Sequence, residues 1–358
     1  MQLDVQGHPI HTRALAVGLA QRADGKLDVH GYVLDLRKRG FVPVAGDLQG
    51  SGIVHHMTLK GIVDPSAAVL ETIAAQQLSV AFEPSAVTEG EQCRDPIAAV
   101  EALAGASLDA DFSRRVSQAL GGPRGCSHIL TLAHLLGSSA AWALERDRTL
   151  HPEARERPAG QRVFRRDLII DGYEVPDAML LAIQLADLHF APTPPVARPM
   201  ERFAADREIR GHLTIEFPTF ALRSAALAER TRTAAGFETG QWSDLADTVA
   251  DLAGLGFGYG VTGELLRRFG DRMVDRPLLD TLLMVGPALI QCAGAMSDSW
   301  PAAFKASDSL VGVGGLPDSC YMWRSGGALA RAREAEGGRM PVRPPAARAI
   351  LGRVKGNR

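Results

Sequence analysis

Apolar and polar residues alternate along His11–Arg22, Lys26–Leu36 and Val54–Val63, the period of half-buried β-strands. Ala23-Asp-Gly25 between the first two is a tight-turn signal, which makes them a hairpin. Val69–Phe82 continues as a fourth, longer strand, although its alanines leave a helix open. From Asp95 the spacing becomes helical. Asp95-Pro96 reads as an N-cap with proline at the first helical position, opening a helix through Ala98, Ala99, Ala102 and Leu103. A second helix spans about Asp109–Leu120 and stops at Gly121-Gly122, and a third runs from Ser127 to Leu144 with buried-helix spacing. Strands followed by helices predict an α+β unit, an antiparallel sheet with helices packed on one face.

The same order recurs from Arg166 to about Met296. Val100-Glu-Ala-Leu-Ala-Gly105 reappears as Val249-Ala-Asp-Leu-Ala-Gly254, 149 residues later, and Arg114–Gly121 answers to Gly263–Gly270. Upstream, Val33-Leu-Asp-Leu36 answers to Leu185-Ala-Asp-Leu188 and Ile62-Val-Asp64 to Thr214-Ile-Glu216, at an offset of 152. Glu89-Gly-Glu-Gln-Cys93 matches Glu238-Thr-Gly-Gln-Trp242. Ordered matches at near-constant spacing predict two tandem diverged repeats. The expected division is a first α+β repeat at 1–150, a linker at 151–161, a second at 162–296 and an extended tail at 297–358. Ala191–Pro199 should be a proline-rich surface crossing, and the aromatic stretch Leu316–Trp323 should hold the tail against a domain.

Composition narrows the function classes. The net charge of −2 gives no electrostatic reason to expect nucleic acid. Runs such as Leu278–Ile290 are too short or interrupted to span a bilayer, and the N-terminus shows no signal-peptide pattern. Four scattered cysteines fit a reducing compartment, so the expectation is a cytoplasmic protein with no membrane partner and homodimerisation left open.

Seven of the ten histidines lie in the first repeat: His8, His11, His30, His55, His56, His128 and His134. Projected onto the second repeat, His55 falls near Arg207, Cys93 on Trp242, Cys126 on Asp275 and His128 on Pro277. The apolar frame persists while the polar set does not, which marks the first repeat as the one with chemistry. Gly122-Pro-Arg-Gly-Cys-Ser-His128 opens a helix, whose N–H groups and dipole favour a Cys126 thiolate or a bound anion. Ser127 reads as the N-cap. His55 and His56 sit on opposite faces of a strand, and His55 is favoured as the inward one. Asp28 and His30 share a strand face, which makes a carboxylate–imidazole pair conceivable. His55, Cys93, Cys126 and His128 are also zinc-ligand types, although no zinc spacing signature accompanies them. The glycine-rich run Val311–Gly315 follows no clear strand and is weak as a nucleotide loop.

Asp24-Gly25 and Asp28 in the first hairpin, His55-x-Met57, Cys93 and Gly125-Cys-Ser-His128 resemble the bacterial domain of unknown function 2889 family, over roughly residues 8–146. His56 stands where that family more often has an acidic residue. The resemblance implies little mechanism, but it associates the chain with bacterial catabolism of aromatic compounds. A more distant likeness, at the level of fold only, is to iron–sulfur scaffold proteins.

These readings lead to a cofactor-independent acid/base enzyme, a lyase acting on a small aromatic substrate and releasing a fragment such as formaldehyde. Its expected catalytic residues are His55, His128, Cys126, Asp28, His30 and Lys60, with Tyr321 from the tail closing over the ring. The alternatives are a metal- or cluster-binding carrier using His55, Cys93, Cys126 and His128, with zinc as the metal, and a non-catalytic binding or assembly protein.

Overall fold

The computed structural model describes residues 5–40, 42–45, 47–153, 156–194, 197–216, 219–258, 260–270, 273–296 and 315–336. Twelve strands follow in chain order: β1 (His8–Gln21), β2 (Leu27–Arg37), β3 (Val42–Val44), β4 (Asp47–Gln49), β5 (Gly52–Asp64), β6 (Val69–Ser79), β7 (Ala106–Ser107), β8 (Arg162–Val175), β9 (Ala178–Phe190), β10 (Phe203–Glu216), β11 (Leu222–Thr233) and β12 (Ser243–Asp244). β3 and β4 form a small ribbon of their own. The other ten make one sheet in the order β12-β11-β10-β9-β8-β1-β2-β5-β6-β7. Every neighbouring pair in it is antiparallel. The first half of the chain lays down a meander outward from β1, the second lays one down outward from β8, and β1 and β8 pair in the middle.

The register at that seam is informative. Leu15 faces Leu168, Arg13 faces Ile170 and Val17 faces Arg166. Within the two meanders, Arg13 faces Asp35 across β1–β2, and Arg166 faces Asp187 across β8–β9. The next strand outward places His55 opposite Asp35 in one half and Arg207 opposite Asp187 in the other.

Helices cover one face of the sheet, so the chain is α+β. They are α1 (Phe112–Leu120), α2 (Ser127–Leu150), α3 (Ala246–Val249), α4 (Val261–Phe269), α5 (Arg276–Leu283), α6 (Val285–Ala295) and α7 (Ala328–Ala335). Because successive strand residues point to opposite faces, β2 sends Val29, Val33 and Asp35 toward the helices and Asp28 and His30 away. In β5 the inward set is His55, Met57 and Leu59. These residues and the buried faces of α2, α5 and α6 belong to one apolar core that both halves share. α5 and α6 together give the one described stretch, Arg276–Ala295, long and apolar enough to cross a membrane by length and composition, with 61% of that window buried in the fold.

The helix expected from Asp95 is a 3-10 helix, Ile97–Leu103, and the helix expected to stop at Leu144 continues to Leu150. Met322 and Trp323 are buried with Val42, Val44, Ala45 and Leu329 in a second, smaller core. The Tyr321 N–H donates to the Gly125 carbonyl at 2.9 Å, and Arg324 pairs with Glu91, which fasten the segment 315–336 over the start of α2. Val311–Gly314, from the glycine-rich run, and the stretch from Arg343 lie outside the described residues.

α2 packs closely enough that one of its glycines has no room for a side chain. A Cβ at Gly137 would collide with the buried ring of Phe112, whereas one at Gly286 in α6 would meet nothing. Gly137→Val is expected to cost about 1–3 kcal/mol through overpacking, and Gly286→Ala to leave stability unchanged or raise it by about 0.5–1 kcal/mol. Denaturant unfolding of the two variants beside the parent measures both effects.

Candidate functional site

The inward faces of β1, β2 and β5 carry charge at one end of an otherwise apolar surface. His11 and Arg13 of β1, Asp35 and Arg37 of β2 and His55 of β5 are all buried there. The first turn of α2 brings His128 down onto them, and α6 brings Gln291, whose amide nitrogen is 3.3 Å from His128 Nε2. Asp35 is the hub. Arg13 Nη1 donates to Oδ1 at 3.0 Å and to Oδ2 at 2.9 Å. His55 Nδ1 lies 3.2 Å and His128 Nε2 3.4 Å from Oδ2, while His11 Nε2 lies 3.5 Å from Oδ1. The His55 and His128 rings stack with centroids 3.7 Å apart. Arg13 also donates to Thr131 Oγ1, one turn along α2.

Burial alone would push the Asp35 carboxyl up. The Arg13 guanidinium and the adjacent His55 and His128 rings outweigh it and hold the carboxyl well below its usual range. Burial pushes His128 well below the ordinary imidazole value and His11 down to about 4. At neutral pH the centre is therefore one carboxylate with the neutral imidazoles of His11 and His128 beside it. His128, with 15% of its side chain exposed, is the member that reaches toward solvent.

Of the residues singled out by sequence, the structure brings together His55 and His128, and His55 is the inward one of its pair. Cys126 sits beside them at the cap of α2, with its Sγ 4.0 Å from Met57 Sδ. The helix amides do favour its anion, but burial outweighs them and pushes the thiol up to about 11, so the expected thiolate does not form. Ser127 is the first helical residue and Cys126 holds the cap position. Gly125 is required by a close approach rather than by its own angles, because a Cβ there would stand 2.9 Å from Leu120 Cα. Cys93 is half-buried, its thiol is also pushed up by desolvation, and it packs against both cores.

Asp28, His30 and Lys60 lie on the opposite face of the sheet from this centre. Asp28 pairs with Arg22 at 2.8 Å instead of with His30. His30 lies over Gly18 and faces Lys60 across the strands. The Tyr321 ring is stacked under Arg324, 3.8 Å from the guanidinium carbon, and its hydroxyl bonds Asp95. The parity of β2 and β5 is the physical reason for the separation: with Asp35 and His55 inward, even-numbered neighbours must face out.

Sequence reasoning passed over Asp35, Arg13 and His11 as site residues. Asp35 was in view, since it is the acidic residue shared by Val33-Leu-Asp-Leu36 and Leu185-Ala-Asp-Leu188. His11 and Arg13 share the face of β1 that continues as Leu15, Val17 and Leu19, a charged start to a fully apolar row.

The second half holds a contrasting cluster at corresponding register positions. Arg166 makes two bonds of 2.6 Å to Asp187, and a further one to Asp280 of α5. Ser138 of α2 donates to both Asp280 oxygens at 2.7 and 2.8 Å. The arginine–aspartate pair is thus common to both halves. The imidazoles are not: Phe164 stands at the place of His11, Arg207 at that of His55, and Asp280 near that of Thr131.

Residues 11–142 match the family described as protein of unknown function (DUF2889). No curated protein and no solved structure matches the chain.

Asp35→Asn leaves Arg13 buried with no full anion beside it, and a destabilisation of about 3–5 kcal/mol is expected. Stability should also fall with acid in two stages. Between the ordinary histidine value near 6.5 and about 4, the unfolded chain takes up a proton that folded His11 refuses. Below about 4, Asp35 adds a second loss, because its folded carboxyl stays ionised while the unfolded one protonates. Unfolding free energies from pH 8 to pH 3 measure this, and His11→Phe, which copies the second half, should shrink the first stage to the part left by His128, His134 and His189.

Proposed function

We propose that the two halves are diverged copies of one unit and that the chain is an enzyme whose first half performs proton transfer at Asp35, His55 and His128. The observation that carries this reading is the contrast between the halves. Both keep an arginine–aspartate pair across the first two strands of the meander, so that pair serves the frame. Only the first surrounds its aspartate with imidazoles. A carboxylate beside an imidazole nitrogen favours the tautomer with its N–H on that side and leaves the other ring nitrogen as a base. With His55 and His128 stacked on one carboxylate, one ring can take a proton while the other returns one.

The reaction we assign is lyase chemistry on a small phenolic substrate. A base removes a proton from a side-chain hydroxyl, the carbon–carbon bond breaks to release formaldehyde, and the electron pair moves into the ring system, to be reprotonated by an acid. The aromatic substrate class rests on the resemblance of residues 8–146, not on a shaped pocket. Solubility in the cytoplasm goes with this reading.

The test is an assay of the full chain for formaldehyde release from phenolic compounds bearing a hydroxymethyl side chain. His55→Ala and His128→Ala should each lower kcat/KM by about 100-fold or more, whereas His30→Ala and Lys60→Ala on the far face should not. Turnover that survives both of the first two substitutions would rule the assignment out.

A further inference from the structure

We infer that Asp35, His55 and His128 form a site for one divalent transition-metal ion of the zinc class, with His11 beside it and the fourth position open. The three side chains offer one carboxylate oxygen and two imidazole nitrogens, all within 4.8 Å of one another. Each is delivered by a different element, β2, β5 and the first turn of α2, so their spacing is set by packing rather than by a loop. A shared ion about 2.0–2.2 Å from each ligand atom needs only small rotamer shifts to fit this spacing.

An independent observation points the same way. Neither ring nitrogen of His11, nor Nδ1 of His55, makes a hydrogen bond of good geometry, although both side chains are buried. Buried polar atoms left in this state are costly, by about 1–3 kcal/mol each, and a bound ion removes that cost for His55. Arg13 donates to both Asp35 oxygens and does what an outer-shell partner does: it orients the carboxylate. The two-nitrogen, one-oxygen donor set suits zinc or iron(II) better than calcium or magnesium.

Charge then defines the ligand in the open position. Arg13 and Asp35 cancel, so a divalent ion would leave two buried positive charges. An anionic fourth ligand, hydroxide or the phenolate or carboxylate of a substrate, offsets one of them, and it enters past the partly exposed ring of His128. The cysteines once considered as ligands are outside this set, since Cys126 turns its sulfur to Met57. The second half has Arg207 at the place of His55 and no equivalent group among the described residues, so one ion per chain is expected.

Full-length protein is stripped with chelator, titrated with zinc chloride against a chromophoric competitor, and examined by visible absorption after loading with cobalt(II). One equivalent of zinc and a cobalt spectrum with nitrogen and oxygen ligands are expected. His55→Ala and His128→Ala should each weaken zinc by about 100-fold or more, while His30→Ala and Cys93→Ser bind as the parent does. His128→Gln, at the exposed edge, is the second variant should His55→Ala unfold, as judged by circular dichroism. No zinc uptake by folded parent, uptake unchanged in the histidine variants, or two equivalents per chain would each overturn the site. The outcome is separable from the catalytic assignment: turnover by folded parent that takes up no zinc overturns the metal alone, and zinc uptake without turnover overturns the lyase reading alone.

Discussion

A carboxylate buried among apolar residues is tolerable only when donors surround it, and in this molecule everything near the active end of the sheet is arranged around that requirement at Asp35. Arg13 neutralises it from the neighbouring strand, and histidines from β1, β5 and α2 complete the ring. Removing one partner of such a pair strands the other in a low-dielectric interior, so the pair is hard to lose once acquired. An arginine–aspartate pair stands at matching register positions in both meanders, while the residues around it differ. Arg166 and Asp187 solved the same problem by recruiting Asp280 and the Ser138 hydroxyl instead of imidazoles.

The two solutions have opposite chemical consequences. A guanidinium held between two carboxylates, with Arg207 a strand away, has no imidazole against its carboxylates among the described residues. The imidazoles around Asp35 offer lone pairs to a proton or a cation. The strand frame is alike in the two halves, and the contrast lies in the side chains at three matching positions.

The strands were legible because alternation over eleven to fourteen residues has few other physical interpretations. The helical half was legible in kind, though the segment after Asp95 wound more tightly than an α-helix. His55 and His128 were legible because an imidazole pair present in one half and absent in the other is hard to assign to packing. Asp35 was overlooked because a single acid in an alternating strand reads as a solvated position; its recurrence at Asp187 was the clue. Asp28, His30 and Lys60 were placed with the site because they are polar and nearby in sequence, yet the parity set by Val29 and Val33 already turned them outward. The state of Cys126 was not legible at all. A helix start lowers a thiol pKa and burial raises it, and only the packed structure says how deep the sulfur lies.

The pairing of β1 with β8 carries an evolutionary implication. β1 supplies His11 and Arg13 and is also the strand on which the second half is seated, while α6, from the far end of the chain, supplies Gln291 beside His128. The stretch that matches the family, residues 11–142, therefore ends before the chain has supplied either neighbour. Excised at that boundary it would present an open strand edge beside its own reactive centre, with the ridge of α6 missing from above. In a lineage where it occurs without the second half, some other strand, from a second copy or an unrelated segment, has to take the place of β8.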